Sequence, residues 1–219
     1  RDRSPSRGLG DVYKRQSEHN ERSVPEKTIA HLIKELPTFP EHLQLMYLIL
    51  FCTGIRKSEV CTIKSGAFYS QGNENWMRIY QSKMRREKVI PVPSLLVGLV
   101  NDYEKKYGIK NGEYLFKNKK GGAFCGQTFS NQMIRECKAH GIDCGDYIFR
   151  AHDYRHNLAT SMYGKGVSIQ GVRDYLGHSS ENMTKQYIDF MPERIVSAED
   201  KYFSRNQSFK LKGAEDDER

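Results

Sequence analysis

A mainly α-helical domain carrying one small antiparallel sheet is the fold class this sequence predicts, on three observations. Apolar residues recur with helical spacing over most of the 219 residues. Between Ala67 and Pro93 the period drops to two. Prolines and glycines fall between the periodic segments and separate them.

Each element follows from local pattern. Pro25-Glu26-Lys27 opens a helix running to about Leu36, with proline near the first turn and an acid after it. Pro37 and Pro40 end that segment. Glu41 to Thr53 carries Leu43, Met46, Tyr47, Ile49 and Leu50, the spacing of a largely buried helix. Gly54 breaks it, and a short turn starts at Arg56 with Val60 and Ile63 as apolar positions. Trp76, Arg78 and Tyr80 alternate with Met77, Ile79 and Gln81, and Lys88 to Val92 follows a basic turn. These are two antiparallel strands joined at Ser82 to Glu87, with a third near Phe68. Helices are predicted again over Ser94–Tyr107, Gln127–His140, His152–Tyr163, Ser168–Leu176, Glu181–Asp189 and Glu193–Phe203.

Composition narrows the function classes. The formal charge of +8 suits a polyanionic partner, nucleic acid first. No run of about 18 apolar residues is present, which argues against a membrane span. Five widely spaced cysteines without a Cys-x-x-Cys pair fit a reducing cytosol and lack the spacing of a structural zinc site. Residues 1–16 show no apolar periodicity and read as a non-native, adapter-derived tail. They hold five basic and two acidic residues, so the remainder is still basic. Residues 17–25 read as linker, 26–203 as one domain, and 204–219 as a polar, disordered tail.

Four short segments carry the chemistry: Thr53-Gly54-Ile55-Arg56-Lys57-Ser58-Glu59, His152-Asp153-Tyr154-Arg155, Leu176-Gly177-His178, and Lys185-Gln186-Tyr187. Two arginines can neutralise a phosphate through their planar forks, and a phenol can attack it. His178 lies 23 residues after Arg155, and Tyr187 lies nine beyond His178. At average residue usage this His-x-x-Arg, His, Tyr pattern arises by chance in about one chain in 10⁴.

With these motifs, residues 25 to 203 resemble the catalytic domain of the tyrosine recombinases, the phage integrase family that includes Xer, Cre and lambda integrase. The resemblance implies that Tyr187 is the nucleophile and forms a 3′-phosphotyrosyl enzyme with a free 5′-hydroxyl, without cofactor, ATP or metal. It assigns Arg56 and Arg155 to the scissile phosphate. His152 and His178 manage protons and hold phosphate oxygens, with His152 favoured as the base-like residue; the sequence alone does not separate the two. Lys83, eight residues before Pro91, is the candidate general acid for the leaving oxygen, with Arg85, Arg86 and Lys88 of the same turn as its rivals. Arg85 and Arg86 are candidates for phosphate contact without chemistry. Glu59, one helical turn after Arg56, is a supporting acid or an ordinary surface one. His156 points elsewhere than Arg155, its neighbour on the helix.

The function implied is site-specific recombination or integration of DNA for a mobile element. Its alternatives are type IB topoisomerase-like relaxation and a non-catalytic DNA-binding relative. The partners implied are double-stranded DNA and further copies of the chain, a tetramer on DNA and a monomer without it. The place of action is the bacterial cytoplasm, on the nucleoid. Family members carry an N-terminal helical domain for which too little sequence precedes Pro25, so the chain is expected to be truncated upstream.

Overall fold

The computed structural model describes residues 24–82, 84–142, 147–178 and 184. The expected tails, the helix over Glu193–Phe203, and Lys83, Cys144 and Tyr187 lie outside the described residues. Of the expected helix over Glu181–Asp189, Thr184 is described, and it is helical.

Helix α2, Glu41–Thr53, is the spine. Leu43, Met46, Tyr47, Ile49 and Leu50 are fully buried around its circumference, each contributing about 1.5–3 kcal/mol by leaving water. A helix so apolar on all sides must be surrounded. Helices α4 (Ser94–Tyr107), α5 (Gly126–Ala139) and α6 (Ala151–Gly164) pack against it. Helix α1, Glu26–Glu35, precedes it through a 3-10 turn at Leu36–Thr38 that accommodates Pro37.

Gly54 ends α2 in the left-handed region at φ 60°. A side chain there would also meet Leu158 Cδ2 of α6 at 2.8 Å and Leu176 Cδ2 at 3.2 Å. The chain then turns into the short helix α3, Lys57–Cys61. Leu176 belongs to α7, Ile169–Leu176, whose N-cap Ser168 accepts from Gly171 N–H. Gly54 is therefore the point where α2, α6 and α7 converge.

The sheet is a meander of β1 (Phe68–Gln71), β2 (Glu74–Gln81) and β3 (Arg86–Pro91), in that order and antiparallel. Met77, Ile79 and Gln81 are buried and define the inner face. The β2–β3 turn is shorter than the expected Ser82–Glu87, because strand pairing resumes at Arg86 opposite Gln81. Lys88 is a strand residue, as in the expected strand from Lys88 to Val92; Arg86 joins it, and Arg85 occupies the turn, at φ 51°. Lys88 pairs with Ile79 and alternates with buried Ile90, so it stands on the inner face.

Tyr47, Phe51, Phe149 and Tyr154 form one aromatic cluster, with Tyr47 and Tyr154 edge-on at 5.2 Å between centroids. Such pairs add about 0.5–1.5 kcal/mol beyond burial. Their function here is positional, since Tyr154 locks α6 onto α2 and thereby sets the residue that follows it. Asn157 on the same helix holds Val24, accepting from its N–H at 2.8 Å.

Gly54→Ala is expected to lower stability by about 2–4 kcal/mol, the sum of the left-handed penalty and a forced repacking. Urea unfolding checks it, and a loss below about 0.5 kcal/mol would show that the three helices do not meet as tightly as described.

Candidate functional site

Arg155 is 2% exposed, yet it carries a full charge, so its surroundings must satisfy it. Nη1 donates to Gly54 O at 2.7 Å, Nη2 to Leu176 O at 2.6 Å, and Nε to His178 Nε2 at 3.3 Å. Both carbonyls lie at helix C-termini, where the last carbonyls lack helical partners and the helix dipole is negative. One guanidinium thus caps α2 and α7 together.

Arg56 is the N-cap of α3, and Glu59 holds it at two points. Glu59 Oε2 accepts from the Arg56 backbone N–H and Oε1 from Arg56 Nη1, each at 2.8 Å. The carboxylate is buried, while the arginine side chain keeps 20% of its surface. This ion pair fixes the guanidinium at the rim of the site. Glu59 is therefore an orienting residue and not a surface acid.

His178 sits just past α7, after Gly177 at φ 70°. A side chain at Gly177 would lie 2.7 Å from Gln81 Oε1, so the turn is pressed directly onto β2. An arginine Nε–H can only donate, so His178 Nε2 must accept. Its Nδ1 lies 2.9 Å from Thr184 Oγ1 and carries the proton of the neutral ring. Burial, then the charges of Arg155, Arg56, Lys88 and His152, push its pKa down to about 3. Four basic side chains from α3, β3 and α6 therefore bear on one imidazole.

His152 is exposed on the first turn of α6. Its ring centroid lies 6.3 Å from that of His156, which is buried and packs, as expected of the neighbour of Arg155. Beside His152 opens a groove of about 390 Å³ lined by Arg56, Lys57 and Arg150 as well, with no acidic residue in its wall. Arg150 is the N-cap of α6, so the positive end of that helix faces the same groove. Lys57 lies within the Arg56 motif and Arg150 just before that of His152, and only the fold shows that they line one opening.

Lys88, a rival of Lys83 for the general acid's place in the turn, does not stand there. It is instead half-buried beneath the site, and Nζ donates to the Tyr175 carbonyl. Burial first, then Arg155, Arg86 and Arg56 against the opposing pull of Glu59, lower its pKa to about 7. Arg85 and Arg86 are exposed. Among the described residues no cluster of three His, Cys, Asp or Glu suits a metal ion, and no helix is long and apolar enough to cross a membrane. Cys52, Cys61 and Cys125 are free thiols.

The helical layers with a three-stranded antiparallel meander are the fold of tyrosine recombinase catalytic domains. XerH site-specific recombinase, in a pre-cleavage complex with its difH substrate, superposes with a TM-score of 0.65 at 21% identity over 83% of this chain and 54% of that one. The phage integrase family model matches residues 22–194, and the chain belongs to that family. It is 29% identical over 180 residues to transposase B from transposon Tn554 of Staphylococcus aureus, covering 80% of this chain and 29% of the transposase. It is 25% identical over 182 residues to tyrosine recombinase XerA of Pyrococcus furiosus, covering 81% of this chain and 60% of that protein. The chain thus spans less than two thirds of the length of either relative.

The low pKa of His178 has a consequence for stability. The unfolded chain binds a proton at this histidine near pH 6.5 and the folded one only near 3, so acidification through that window favours unfolding. Urea titrations are expected to show wild type losing more stability than His178→Gln between about pH 7 and pH 4. Equal losses would place the imidazole in ordinary solvent.

Proposed function

We propose that this chain breaks and rejoins DNA as a site-specific recombinase of a mobile element, through a covalent bond between Tyr187 and a 3′-phosphate. The observation that carries the reading is a groove lined by Arg56, Lys57, Arg150 and His152, with no acid among the described residues of its wall, together with the charges of Arg155, Arg56 and His152 converging on His178. Guanidiniums held in advance by Glu59 and by helix carbonyls stabilise charge that develops on a phosphoryl group without reorganising first.

In this reading the Tyr187 oxygen attacks phosphorus as its proton passes to a base, His152 being the exposed candidate. The P–O5′ bond breaks, and Lys83 gives a proton to the leaving 5′-oxygen. The reverse attack by a 5′-hydroxyl restores the phosphodiester and frees the phenol. The bond energy stays in the phosphotyrosyl ester, so no nucleotide is consumed. Arg85 and Arg86, exposed beside the β2–β3 turn, contact neighbouring phosphates. Exchange between two duplexes calls for four copies of the chain, and the place of action is the cytoplasm, where the DNA is.

A nicked suicide duplex built from the element's ends tests this. Wild type is expected to leave a denaturant-resistant protein–DNA adduct, Tyr187→Phe none, and Arg56→Ala cleavage lowered about 10²–10³-fold. An adduct that persists in Tyr187→Phe would overturn the assignment, and plasmid relaxation without exchange between two sites would leave a topoisomerase-like activity.

A further inference from the structure

One basic side chain at the site has no part in that mechanism. Lys88 stands on the inner face of β3, opposite Ile79 and two residues before buried Ile90, where an apolar side chain is the ordinary occupant. Its Nζ lies over the Tyr175 ring, 5.6 Å from the centroid, and donates to the Tyr175 carbonyl. Tyr175 answers with its hydroxyl, which donates to Pro91 O at 3.4 Å. β3 and the last turn of α7 are thus joined by two reciprocal links. The next carbonyl along, Leu176 O, is the one that Arg155 caps.

We propose that Lys88 is a positioning residue of the phosphate site: seated on the Tyr175 carbonyl, it holds the turn carrying His178 against Arg155 and sets a further positive charge behind the two arginines. The proposal rests on the phosphate-binding reading given above and adds to it a residue that acts through the His178 turn. Three elements then clamp the His178 turn: α6 through Arg155, β2 through Gln81 against Gly177, and β3 through Lys88.

Such a charge is costly until an anion arrives. The groups facing Lys88 are Arg155 from α6, Arg56 and Glu59 from α3, Arg86 from its own strand, and Tyr175, Asp174 and His178 at the end of α7. With burial and three arginines against one buried carboxylate, the ammonium titrates at about 7. A phosphate between the arginines opposes that pressure and favours the protonated form. DNA binding and proton uptake at Lys88 are therefore linked: affinity falls as pH rises through the value of the free chain.

Fluorescence anisotropy of the full chain with a short duplex of arbitrary sequence, at low salt and from about pH 6 to about pH 9, reads this directly. Wild-type affinity is expected to fall across that range. Lys88→Arg, permanently charged, should bind within about twofold of wild type at the acid end and lose the slope. Lys88→Met should bind about tenfold more weakly there and also be flat, the loss of one charge-assisted contact. If wild type binds and Lys88→Arg keeps the wild-type slope, Lys88 is overturned as a proton-linked positioning residue and the recombinase reading stands. If wild type binds no duplex at any pH, the phosphate site itself fails and the proposal falls with it. Should Lys88→Met not fold, the comparison of wild type with Lys88→Arg decides the matter alone.

Discussion

The hydrogen bonds from Arg155 to Gly54 O and Leu176 O hold the site together. They join the C-termini of α2 and α7 to the first half of α6, and the motifs of Arg56 and His178 flank those carbonyls. Arg56 follows Gly54 by two residues, and His178 follows Leu176 by two. A buried charge is rarely a source of net stability, but removing one partner from such a set leaves the others unpaired. Loss of the guanidinium would therefore loosen both flanking turns. The aromatic packing of Tyr154 on Tyr47 and Phe149 is what keeps that guanidinium in register.

Around this centre the chain gathers more positive charge than it neutralises. Glu59 is the buried carboxylate paired within it, and its two oxygens are committed to Arg56. The strain is visible in the groups that can shed a proton: His178 is held neutral and Lys88 is brought down to about 7. A pocket tuned in this way is stabilised by an incoming anion, because each added negative charge relieves several unfavourable pairs at once. His178 also presents a constraint on mechanism. Its Nε2 accepts from Arg155 in the free chain, so donation from that nitrogen to a phosphate requires the proton to move from Nδ1 and the arginine Nε–H to find another acceptor.

Much of the fold was legible in the sequence, for identifiable reasons. The apolar run of α2 and the proline–glycine bounds of α4 predict those helices to the residue, and the two-residue period of Trp76 to Gln81 predicts the sheet. The motif spacing placed Arg56, Arg155, His152 and His178 in one neighbourhood. What escaped was register. A run of Lys and Arg reads as solvated turn, whereas pairing from Arg86 onward turns Lys88 inward beside Ile90. Strand alternation with Ile90 was the available signal, and its charge concealed it. Likewise the dual hold of Glu59 on Arg56 depends on an N-cap geometry that i, i+3 spacing permits but does not demand. Lys83 and Tyr187 rest on motif spacing alone.

The central claim is that the two guanidiniums serve one phosphate, and a structure of the chain on a DNA duplex tests it most directly. The account predicts nitrogen atoms of Arg56 and Arg155 within hydrogen-bond distance of oxygens on the same phosphorus, with the Tyr187 hydroxyl in line behind it. Arginines bound to separate phosphates, or Arg155 still sealed between the Gly54 and Leu176 carbonyls while DNA runs elsewhere, would contradict it.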